Sequence, residues 1–144
     1  MSNTLYERDF HAWTHEQAAL LRAGKLDRAD LDNIAEEIES MGRRERHEMV
    51  NRLTVLLVHL MKWHWQPGFR GSSWRLTIKE QRRALRRHLR DNPSLKAFTD
   101  QAVADAYDSA QVIAERETGL PGETFPSDSP FTFDHAMDDA FWPE

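Results

Sequence analysis

Seven basic side chains between residues 75 and 90 recur at spacings that a helix would gather on one side: Arg75, Lys79, Arg82, Arg83, Arg86, Arg87 and Arg90. On a helical projection they share an arc of roughly 140°. Guanidinium groups in such a row pair with successive phosphates, a sequence-independent interaction that salt weakens. No aromatic residue is interleaved with them, which disfavours stacking of single-stranded bases. The same row also suits pairing with acidic segments of this chain or of a second copy, or simple solvation.

Histidines and carboxylates are the other chemistry-bearing groups. His11 and His15 have the helical spacing that lets two imidazoles share a metal, but they fall on the polar side with Arg22. His59 stands in an otherwise apolar stretch, where a neutral, hydrogen-bonded imidazole costs least. Brought near Glu36, Glu37 or Asp105, it would offer a metal ligand or a general base. The Glu-x-x-His pairs of di-iron bundles are absent, as are H-E-x-x-H, G-x-S-x-G, the phosphate-binding P-loop and G-x-G-x-x-G. No cofactor is implied. With no cysteine, a disulfide scaffold, a thiolate zinc site and a thiol nucleophile are all excluded.

The elements that must position these groups read as helices throughout. The stretch 53–65, LTVLLVHLMKWHW, is apolar on every side and belongs inside a core. Its 13 residues are too few to span a bilayer. Thr4 and Glu7 match a capping box for a first helix, with Phe10, Trp13, Gln17, Leu20 and Leu21 on one face and Gly24 as its stop. Asp30 caps the next helix, whose stripe is Leu31, Ile34, Ile38 and Met41. Gly42 predicts either one long bent helix or two collinear ones, ended by Gln66-Pro67-Gly68.

Ser73 is the expected cap of the basic helix, which buries Trp74, Ile78, Leu85 and Leu89. Asn92-Pro93 predicts a further helix to about residue 118, with Leu95, Phe98, Ala102, Ala106, Ala110 and Ile113 inward and Gly119 closing it. Its alanines predict a close helix approach. The segment 120–144 is rich in proline, acid and phenylalanine, and Thr132 caps a short helix to about Phe141. So many large apolar groups predict that this tail packs on the bundle. Core packing accounts for most of the five tryptophans, with Trp142 free to dock into a groove.

A length of 144 residues suits one domain with one core. The expected organisation is therefore a single helical domain over 1–144, with a bundle at 1–119 and the tail at 120–144. The net charge of −5 conceals an alternation. Residues 1–42 carry 4 basic and 9 acidic groups, 43–90 carry 13 and 3, and 91–144 carry 2 and 12. The balances run −5, +10 and −10. The opening residues have no apolar signal region, and the default compartment is the cytoplasm.

The runs YERDFHAW, LDNIAEEIESMGRRE, LLVHLMKWHWQP and SWRLTIKEQRRAL, with ERETGLPGETFPSDSPFTF and a closing DDAFWP, resemble the motifs of domain-of-unknown-function family 29. The resemblance covers essentially the whole chain. It implies an all-helical, four-helix-bundle-like bacterial protein and supplies no catalytic residues. Three readings follow from the residues. The leading one is a non-enzymatic interaction protein that pairs with a protein partner or with itself as a homodimer. The second is a nucleic-acid or polyanion binder using the basic arc. The third is a metal- or His-dependent enzyme centred on His59 with Glu36 and Glu37.

Overall fold

The computed structural model describes residues 4–144; residues 1–3, which open the expected 1–144 domain, lie outside the described residues. Among those described there is no strand, and the fold is all-α. The α-helices are α1 (Leu5–Arg8), α2 (Phe10–Arg22), α3 (Leu31–Trp65), α4 (Ser72–Asp91), α5 (Thr99–Thr118) and α6 (Phe133–Met137). Short 3-10 turns occupy Pro67–Phe69, Pro93–Phe98 and Gly122–Thr124. No described helix is long and apolar enough to cross a membrane. The chain divides into two compact units, Met1–Arg44 and Glu45–Glu144.

In the first unit, the single opening helix expected from the sequence is two. Thr4 caps α1 through Glu7, but Asp9 leaves helical geometry (φ −150°, ψ 85°) and its carboxylate accepts from the Ala12 amide, restarting the chain as α2. Aspartate competes with the helix for backbone donors, so it breaks one turn and caps the next. Gly24 (φ 72°) follows the end of α2 in the left-handed region that glycine occupies without strain.

Trp13 and Gln17 are buried, whereas Phe10 and Leu21 are exposed. Trp13 and Gln17 converge on Asp30. Its carboxylate accepts from the Asn33 amide (2.8 Å) and the Trp13 indole (3.1 Å), and its own amide donates to Gln17 (2.7 Å). The Asn33 bond foremost, then the Trp13 bond, holds the Asp30 carboxyl below the ordinary carboxylate range. A depressed folded pKa means that its stabilisation is complete above about pH 4, the unfolded value, and disappears as pH falls through the folded one. Urea unfolding followed by circular dichroism at a series of pH values should therefore show stability lost below about pH 4 by a part that Asp30→Asn removes.

The helix α3 is one element of 35 residues, with Gly42 helical inside it. A methyl group at Gly42 would meet nothing within 4 Å. Gly42→Ala should accordingly raise stability by about 0.5–1 kcal/mol in urea unfolding, because it removes backbone freedom from the unfolded chain at no steric cost. Loss of stability instead would mean that the glycine is needed for bending.

The second unit is built on the apolar part of α3. Leu53, Leu56, Leu57, Leu60 and Met61 are fully buried and Val58 nearly so. The apolar girdle is not complete, since Val55 is exposed and His59 only partly covered. From α4 come Ile78, Leu85 and Leu89, and from α5 Ala102, Ala106, Ala110 and Ala114. The tail adds Phe125, Phe131 and Ala136, so it belongs to the core as expected.

Local boundaries differ in places. Gly71, not Ser73, precedes α4, and no side chain caps it; Ser73 lies in the first turn, its carbonyl accepting from Thr77. The segment Pro93–Phe98 is a 3-10 turn, so α5 starts only at Thr99. Leu95 is buried there, but Phe98 is exposed, with the Arg46 guanidinium 4.1 Å from its ring centre. Gly119 (φ 73°) ends α5 as expected. Thr132 caps α6 through the His135 amide, but that helix stops at Met137, short of Phe141.

Candidate anion-binding pocket

The buried stripe of α4 has a gap. Ile78, Leu85 and Leu89 are buried at helical spacing, whereas Trp74, expected to open the stripe, is only partly covered; the in-register position between Ile78 and Leu85 is Arg82. Arg82 is 1% exposed. It therefore parts from the other members of the basic arc and joins the buried stripe beside it. Its Nε donates to the Ala136 carbonyl (2.7 Å) and its terminal nitrogen to the Phe141 carbonyl (2.8 Å). The guanidinium also lies 5.3 Å from the Trp142 ring centre. Burial lowers its pKa, while the carboxylates of Asp139 and Asp138 oppose the shift. An arginine stays charged through such a change.

Where the tail crosses α4 at this clamp, a concavity of about 250 Å³ opens between them. Arg75, Lys79, Arg82, Arg83 and Arg86 line it, with Asp139 and Trp142 of the tail completing the wall. Arg86 is committed to the tail, donating to Asp139 (2.7 Å) and to the Met137 carbonyl (2.8 Å). The Arg86 bond foremost holds the Asp139 carboxyl below the ordinary range. Among the described residues, Arg75, Lys79 and Arg83 enter no ion pair. The pocket thus gathers five cations around one carboxylate. Cations crowded into a concavity repel one another and focus a positive field, so an anion entering it is favoured.

Arg87 and Arg90, the remaining members of the arc, are exposed outside this concavity, with Arg90 beside Asp91 (3.5 Å). The tail end is held a second time by Arg70. It donates to the Trp63 carbonyl (2.7 Å) and the Pro143 carbonyl (3.1 Å), while Trp142 packs on Trp63 with ring centres 4.8 Å apart. Trp142 therefore docks on its own chain.

The metal set read from the sequence is not brought together. The metal-capable group found among the described residues is Glu45, Glu48 and His88, without His59, Glu36 or Glu37. Glu36 pairs with Arg43 (3.1 Å), and Glu37 accepts from the Tyr6 hydroxyl, which first of all pushes the Tyr6 pKa up to about 12. The His59 Nδ1 faces the Val55 carbonyl at 2.8 Å, and burial lowers its pKa. His11 and His15 lie with ring centres 4.7 Å apart on exposed surface.

His88 was not singled out by sequence, although it sits beside Leu89 on the inner side of α4 and Glu45-x-x-Glu48 has helical spacing. Its Nε2 faces the Glu45 carbonyl (2.7 Å) and its Nδ1 the Glu48 carboxylate (2.9 Å). Both ring nitrogens are thus engaged by protein oxygens, and the group works as a polar clamp. A larger concavity of about 510 Å³ lies between α5 and the tail, bordered by Asp100, Asp105, Asp108 and Asp128. Its hydrogen bonds are internal: Tyr107 and Gln111 both donate to the Pro126 carbonyl at 2.6 Å.

Compared with known families, the chain matches the model described as "Domain of unknown function DUF29" over residues 5–142. Comparisons with curated proteins and with solved structures return no match.

Proposed function

The chain belongs to the DUF29 family over nearly its whole length, and we propose that it is a non-enzymatic interaction module whose α4 pocket receives an anionic group of a partner. The observation that carries this reading is the imbalance in the pocket: five cations, one carboxylate and a volume of about 250 Å³. That volume suits a phosphate or carboxylate group rather than a whole cofactor. Arg75, Lys79 and Arg83 are the groups available to a ligand, whereas Arg82 and Arg86 are spent on the tail. A cytoplasmic bacterial setting, with nucleic acid as a secondary class of partner, belongs to the same reading. Turning Arg82 inward shortens the row that a duplex backbone would follow, and this favours the compact ligand.

The test is isothermal titration of the full chain with inorganic pyrophosphate. Binding should weaken steeply with added salt, and Lys79→Gln with Arg83→Gln should weaken it about tenfold or more while leaving thermal stability within about 0.5 kcal/mol. Asp139→Asn should tighten it severalfold, because the carboxylate that now neutralises Arg86 is itself a competitor for the pocket. Salt-independent binding, or binding untouched by the double variant, would overturn the proposal.

A further inference from the structure

A second depression adjoins the pocket, sharing Arg86 with it. It has a volume of about 430 Å³, an apolar floor that includes Leu89, Phe133 and Met137, and a rim of Arg86, Arg90 and Lys96 with no acidic residue. Such a surface asks for a segment that is apolar along one line and acidic beside it.

The chain itself carries such a segment. On α3, Leu31 is 51% exposed, Ile38 59% and Met41 52%, and with Ile34 they form a stripe at spacings of 3, 4 and 3 residues. The flanking side chains are Asp32, Glu36, Glu37 and Glu39, and no basic residue falls between residues 29 and 42. Large apolar side chains left in water along one helix line mark a contact surface. Two such stripes facing each other would bring like charges together, which is unfavourable. The basic-rimmed groove of another molecule brings opposite charges together over apolar contact.

The geometry points to a second copy of this chain as the occupant: residues 31–41 of one molecule seat on the Leu89/Phe133/Met137 groove of another. The inferred assembly is the reciprocal, two-fold form of this contact, in which each molecule gives its stripe and receives that of the other. This inference rests on the reading of α4 as an interaction face and names the partner that the adjoining groove takes.

Sedimentation velocity of the full chain tests it, run from about 1 to about 100 µM at low and high salt. A monomer–dimer equilibrium weakened by salt is expected. Ile38→Ser should weaken it about tenfold. The change lies on the surface, so an unaltered circular-dichroism melt will separate lost contact from lost folding. A charge exchange gives the decisive arm. Arg90→Glu with Lys96→Glu, and separately Glu36→Lys with Glu39→Lys, should each give monomers. Mixing the two variant proteins should restore a dimer, because each of its two contacts then joins opposite charges.

A strictly monomeric wild type, or a dimer that survives Ile38→Ser and the rim charge reversal, overturns the inference. So do variant monomers that stay apart when mixed. Pyrophosphate titration of the same samples tells the two failures apart. Retained pyrophosphate binding by a monomeric wild type removes the dimer alone, whereas loss of pyrophosphate binding removes the pocket reading beneath it.

Discussion

Arg82→Leu is expected to destabilise the Glu45–Glu144 unit by about 3–5 kcal/mol and to release the tail, although leucine fits the apolar stripe on which Arg82 sits. The Ala136 and Phe141 carbonyls each accept a hydrogen bond from the guanidinium, at 2.7 and 2.8 Å. Hydrogen bonds to a charged donor contribute about 1.5–3 kcal/mol each, and leaving a buried acceptor empty costs about 1–3 kcal/mol. Leucine recovers part of this by apolar burial but can donate to neither carbonyl. The Trp142 ring also loses its cation. Arg82→Lys should fall between, since an ammonium keeps the charge but lacks the planar fork that reaches two carbonyls at once. Urea unfolding gives the energy, and limited proteolysis after residue 120 reports the tail. A loss under about 1 kcal/mol with an uncleaved tail would show that the aromatic contacts alone hold it.

Ala106→Leu should cost about 3 kcal/mol, at the upper end of the range for overpacking a core. Ala106, Ala110 and Ala114 are each 0% exposed, and the helix stripe they form packs in the same core as Leu53, Leu57 and Leu60 of α3. Ala106 has no exposed surface through which three added carbons could project, so in a close-packed core side chains must leave their rotamers or α5 must shift. Ala104→Leu, two residues away on an exposed position, is the control and should stay within about 0.5 kcal/mol. Equal effects from both substitutions would mean that leucine acts through helix propensity or the unfolded chain rather than through packing.

Periodicity alone made much of the fold legible. The burial of the apolar run at 53–65 and the inward faces of the stripe Ile78/Leu85/Leu89 and of the alanine ladder of α5 follow from spacing, which a regular helix converts directly into geometry, although Trp74 stays only partly covered. The phenylalanines after residue 120 had to find cover, and Phe125 and Phe131 did so in the core. Family membership was legible too, because the motifs run along the whole chain. Boundaries were less so. Asp9 and Pro93 each permit a helix start nearby, and local energies of about 1 kcal/mol decide where the chain restarts.

The basic arc was visible in the sequence as seven charges, but what those charges do was decided by tertiary structure. Lys79, Arg83 and Arg75 border a pocket only because the tail lies across α4, where Arg82 turns inward to two of its carbonyls. A gap in an apolar stripe filled by arginine is the one local sign of that. Residues 54 and 59 positions downstream supply the partners. The His88 clamp is similar, joining groups that lie 40 and 43 positions apart in the chain. By itself the sequence determined which faces must leave water, since burial of apolar area depends on residue type and helical spacing alone. Which polar groups meet was left to the tertiary structure, because a hydrogen bond needs atoms placed to within a few tenths of an ångström, and that placement exists only once the packed core has set it.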